Sequence, residues 1–103
     1  TKELFFTGRR IQSAEALALG IFNQVIEDAA FPEAVTELAC QIASGPPIAL
    51  GYMKENINSA IEGSLQDNLA READRLMRCA INDDHKEAVA AFMNKRPPVF
   101  TGK

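Results

Sequence analysis

The chain has 103 residues, 47% of them hydrophobic and 24% charged, which places it among foldable single-domain sequences. Eleven Lys and Arg against fourteen Asp and Glu leave a net charge of -3, and that excludes a sequence-wide attraction to nucleic acid or to an anionic membrane. No apolar run approaches the roughly 18 residues that cross a bilayer, Thr1-Lys2-Glu3 is no signal pattern, and Cys40 and Cys79 stand outside any CxxC or Cys/His cluster, so the expectation is a cytoplasmic chain with two buried reduced thiols and no zinc site.

Residues 1–7, followed by Gly8, read as the last turn of a truncated helix, because glycine enters the left-handed conformation that closes helices at no steric cost. With Thr in place of Met at position 1, the chain is expected to be a fragment of a longer protein. Ser13 is expected to cap a short helix of strong helix formers from Ala14 to Leu19, ended by Gly20. Residues 21–26 suit an extended chain but have no second strand to pair with, which predicts a lone connector or an edge strand.

Pro32, with Glu33 and Glu37, opens the next helix, whose apolar stripe is Phe31, Val35, Leu38 and Ile42. Gly45-Pro46-Pro47 breaks it and starts another, striped by Leu50, Met53, Ile57 and Ile61. Ser64 caps a third long helix with Leu65, Leu69, Ala73, Leu76 and Ala80 on one face. Asn82 or Asp83 caps a fourth through Val89, Phe92 and Met93, with Pro97-Pro98 forbidding its continuation and residues 99–103 forming an irregular tail. The fold class expected is all-α: residues 1–103 form one small multi-helix bundle or layer. Part of each stripe is left to face a missing domain or another subunit.

Little in this pattern carries chemistry. The only histidine, His85, lies in Asp83-Asp84-His85-Lys86-Glu87, too sparse for a nucleophilic triad, and its acidic neighbours suit the positive end of a helix better than a metal. No catalytic residue is assigned: Glu15, Glu55, Glu62 and Glu72 read as solvated helix faces. Gly8-Arg9-Arg10 lacks the preceding strand and the glycine spacing of a phosphate loop. The least ordinary feature is the stretch 88–103, which holds Lys95, Arg96 and Lys103, no acid, and the aromatics Phe92 and Phe100. Phe92 and Lys95, three apart on a helix, would offer a ring and an ammonium from one side to a ligand with a flat ring and phosphates. The same two residues also suit a core aromatic and a cation at the negative end of the helix dipole.

Five stretches together resemble the enoyl-CoA hydratase/isomerase, or crotonase, family. They are Leu4-Phe5-Phe6-Thr7-Gly8-Arg9-Arg10-Ile11 with Ser13-Ala14-Glu15-Ala16, then Leu19-Gly20-Ile21-Phe22-Asn23-Gln24-Val25, and Lys54-Glu55-Asn56-Ile57-Asn58. Asp84-His85-Lys86-Glu87-Ala88-Val89-Ala90-Ala91-Phe92 and Lys95-Arg96-Pro97-Pro98-Val99-Phe100-Thr101-Gly102-Lys103 complete the order. The resemblance implies the helical C-terminal domain of that family, used in trimer assembly, behind an N-terminal catalytic domain of β-β-α turns that this chain lacks. It implies an acyl-CoA thioester substrate, with coenzyme A as part of it and no tightly bound cofactor, and two backbone N–H donors that hold the enolate. None of the family's oxyanion or acid motifs is matched here. The positions of Phe92 and Lys95 are those that reach the adenine and phosphates of coenzyme A, often in a neighbouring subunit. The expected function is therefore oligomerisation and coenzyme A contact within a hydratase or isomerase, the isolated chain being inactive; the alternative is an autonomous helical protein-protein interaction module.

Overall fold

The computed structural model describes residues 2–103, so Thr1, included in the expected truncated helix, lies outside the described residues. Six helices follow one another: α1 Lys2–Thr7, α2 Ser13–Ala18, α3 Phe31–Ala43, α4 Pro47–Ala60, α5 Leu65–Ala80 and α6 Asp83–Met93. Among the described residues there is no strand, and residues 21–26 are an irregular connector.

The helix boundaries follow mostly from local chemistry. Gly8 (φ +60°) and Gly20 (φ +69°) take the left-handed turn after α1 and α2. Ser64 accepts the N–H of Asp67 at 3.1 Å and Asn82 accepts that of His85 at 2.9 Å, each satisfying a donor that the helix leaves free. Ser13 does not cap. The carbonyl of Gln12 already takes the N–H of Ala16 at 3.0 Å, so the helix begins one residue earlier and Ser13 is its first residue.

The chain divides into two compact units, Thr1–Glu37 and Leu38–Lys103. In the first, Ala16 is buried, and the Arg9 guanidinium joins Glu3 of α1 at 3.1 Å to Glu15 of α2 at 2.6 Å. In the second, α4 packs on α5 and α5 on α6. Arg75 ties the first pair: it donates to the Tyr52 carbonyl at 3.3 Å, to Asn56 and to Glu55 at 2.5 Å, with its guanidinium 5.5 Å from the centre of the Tyr52 ring.

The expected all-α bundle is corrected by where the apolar side chains lie. Ala16 and Ala91 are the buried hydrophobic residues among those described, while Met53, Ile57, Leu65, Leu69, Leu76, Val89 and Met93 are exposed. The predicted stripes are therefore present on the helices without closing over a bundle core. On α6 the inward residues are Asp84, Ala88 and Ala91 rather than Val89, Phe92 and Met93, because small side chains allow neighbouring helices to approach closely. The expectation of two buried thiols is likewise corrected: Cys40 is exposed and Cys79 half-buried.

Candidate functional site

α6 positions the aromatic member of the predicted pair. Asp84 (3% exposed) and Ala91 (1% exposed) are turned inward, while Phe92, at the flank of that face near the end of α6, is 82% exposed. A core role for Phe92 within this chain is thereby overturned.

Lys95 is not on the helix. The N–H of Lys95 donates to the Phe92 carbonyl at 3.2 Å and that of Arg96 to the Ala91 carbonyl at 3.0 Å, the paired bonds of a Schellman turn with Lys95 at the position that glycine usually fills. Lys95 has φ +50°, the one non-glycine positive φ among the described residues. The helical spacing argument for the Phe92–Lys95 pair is thus replaced by a turn that places the exposed Lys95 immediately beyond the last turn carrying Phe92. Pro97 explains the early stop, since it disfavours helix at Arg96 before it reaches its own position.

The two other cations of the stretch are differently placed. Arg96 spreads both terminal nitrogens over Glu87, at 2.5 and 2.7 Å, and Glu87 Oε1 also accepts the Val99 N–H at 2.9 Å. The Arg96 pairing, followed by the Val99 hydrogen bond, lowers the Glu87 carboxyl from 4.5 to about 2. The same pair raises the Arg96 pKa. Lys103 lies at the end of a tail that is irregular but pinned: Thr101 and Gly102 donate to the buried Asp84 carboxylate, and the Lys103 carbonyl accepts the Asp83 N–H at 2.8 Å. Phe100, half-buried, lines a small cavity with His85, Ala88 and Pro46.

The acidic segment therefore divides its roles among Asn82 as cap, Asp83 paired with Lys86 at 2.7 Å, and Asp84 holding the tail. Sequence reasoning missed Asp84 and Glu87; the signal for both was a run of backbone donors after Pro98 with no helix or strand to satisfy them. Among the described residues no group of His, Cys, Asp and Glu is arranged to hold a metal. Arg9, bridging Glu3 and Glu15, is spent on ion pairs; the Glu15 pair raises its pKa most, and Arg9 in turn lowers that of Glu15. The end of α6 thus carries an exposed aromatic ring, Phe92, followed by an exposed lysine, Lys95.

The family model for enoyl-CoA hydratase/isomerase matches residues 1–103. The short-chain-enoyl-CoA hydratase of Clostridium acetobutylicum is 34% identical over 95 residues, which are 92% of this chain and 36% of that protein. The 1,2-epoxyphenylacetyl-CoA isomerase of Escherichia coli is 34% identical over 100 residues, 97% of this chain and 38% of that protein. A crystal structure of enoyl-CoA hydratase from Bacillus anthracis superposes with a TM-score of 0.93 at 35% identity, covering 99% of this chain and 40% of the other. The chain belongs to the enoyl-CoA hydratase/isomerase family and spans about two fifths of the length of these relatives. That share completes the correction of fold class: the all-α class describes only these helices, which match part of a longer enoyl-CoA hydratase chain. The match supports membership over the whole chain and not the narrower assignment to a C-terminal portion, which is dropped.

Proposed function

We propose that this chain contributes the contact for the nucleotide end of coenzyme A in an enzyme acting on acyl-CoA thioesters, and a surface through which that enzyme forms a trimer-based homo-oligomer. The observation that carries the reading is the exposed Phe92 ring at the end of α6, followed by Lys95 in a turn of fixed shape. The ring would stack on adenine and the ammonium pair with phosphate, while coenzyme A arrives as part of the substrate, not as a tightly bound cofactor. The relatives named for acting on CoA esters support this choice of ligand. Oxyanion donors and proton-transfer acids are assigned to another part of the whole protein, because the sequence matches none of the family's motifs for them. The setting is cytoplasmic. No helix among the described residues is long and apolar enough to cross a membrane.

The exposed stripes of α4 and α5, with Met53, Ile57 and Leu69 on them, favour a second reading in which the chain is an interaction module with no ligand contact. Binding of coenzyme A and of pantetheine, which lacks the nucleotide, to the full-length protein and its Lys95→Gln variant separates the two. The first reading expects about tenfold weaker coenzyme A binding with pantetheine unchanged. Unchanged coenzyme A affinity overturns it and leaves the interaction module. Sedimentation of the full-length protein as a monomer overturns the assembly role.

A further inference from the structure

We propose that Glu87 is a positioning residue whose carboxylate, bridging Arg96 and the Val99 N–H, holds the turn after α6 in the shape that presents the Lys95 ammonium next to Phe92. The inference rests on the coenzyme A reading above and adds to it the residue that fixes the geometry.

A lysine with φ +50° is held against its own preference, and such a backbone persists where the surroundings over-determine it. Two sets of bonds do so here. The helix side supplies the Phe92 and Ala91 carbonyls to the N–H groups of Lys95 and Arg96. The outer side is supplied by Glu87, nine positions before Arg96 in α6, which grips Arg96 with both oxygens at 2.5 and 2.7 Å and takes the Val99 N–H at 2.9 Å. The grip begins at the residue after Lys95 and closes across Pro97-Pro98, whose rings fix φ in the intervening chain. The Glu87 side chain is only 24% exposed, so the planar pairing has a defined place and not a freely moving surface contact. Arg96 is thereby committed to the scaffold, and Lys95 is left to face the ligand.

The test measures coenzyme A and pantetheine affinity, with the melting temperature, for the full-length protein and its Glu87→Gln, Lys95→Gln and doubly substituted forms. Glu87→Gln should weaken coenzyme A about threefold to tenfold, leave pantetheine unchanged, and add nothing to the loss already caused by Lys95→Gln, because both act through one contact. A merely stabilising ion pair would lower the melting temperature and leave discrimination between the two probes intact. The proposal is overturned if Glu87→Gln leaves coenzyme A affinity unchanged in a protein whose Lys95→Gln form has lost it, or if the two losses add. If Lys95→Gln itself has no effect, the coenzyme A reading fails first and this inference with it. Should Glu87→Gln not fold, Arg96→Lys keeps the charge and loses the two-pronged grip, and it is held to the same outcomes.

Discussion

The buried carboxylate of Asp84 accepts the backbone N–H of Gly102 at 3.0 Å and that of Thr101 at 2.7 Å, so the first turn of α6 and the end of the chain are joined by a charged group taken out of water. Asp84→Ala leaves those donors without a partner and should destabilise the protein by about 1–3 kcal/mol. Thermal unfolding gives the loss, and hydrogen exchange at Thr101 and Gly102 should quicken more than at Ala91. Protection at the tail that survives the substitution would show that Asp84 does not hold it.

Glycine substitutions should rank by what surrounds each site. Gly8 (φ +60°) has open space where a Cβ would go, so Gly8→Ala should cost only the backbone term, roughly 1–2 kcal/mol. Gly102 (φ +75°) adds a clash, since a Cβ there would lie 2.9 Å from Pro47 Cγ. Gly102→Ala should therefore lower the melting temperature more than Gly8→Ala. The reverse order would place the tail outside the cooperative fold.

Acid should release the turn after α6. The Glu87 carboxyl, held down chiefly by Arg96 and then by the Val99 N–H, falls from 4.5 to about 2 in the fold. A lowered folded value means stability that is fully present above the unfolded value near 4.5 and lost as pH falls through about 2. Glu15, lowered by Arg9, and Asp74, lowered by Arg78, act in the same direction. They are common to the wild type and Glu87→Gln and cancel in a comparison. The difference in melting temperature between those two proteins should thus narrow as pH drops from 4.5 toward 2, and a constant gap would contradict the assignment.

Lys95 offers a stability test independent of any ligand. Lys95→Gly relieves the left-handed backbone and should stabilise the fold by about 1 kcal/mol. Lys95→Gln keeps the backbone penalty and removes only the charge, so stability should hold steady. If the ammonium instead offsets the helix dipole, the glutamine form should lose about 0.3–1 kcal/mol. Unfolding of the two variants side by side decides which role the charge plays.

What the sequence determined by itself is local. Ser64, Asn82, Gly8, Gly20 and Pro47 set helix ends because a cap, a left-handed turn or a missing N–H acts within a few residues. Phe92 and Lys95 were legible as the aromatic and cationic pair because their residue types and nearness in the chain are local too. The family was equally legible, in the order of five short stretches. Tertiary structure alone decided which face of each helix turns inward: Val89, Phe92 and Met93 look like a core stripe, yet α6 packs through Asp84, Ala88 and Ala91. Periodicity reports that a face is apolar and says nothing of what covers it. Tertiary structure also fixed the left-handed backbone of Lys95, the Glu87–Arg96 grip nine positions apart and the capture of the tail by Asp84. The grip and the capture each depend on a carboxylate of α6 meeting donors that follow the helix in the chain, and that meeting exists only once the helix has folded.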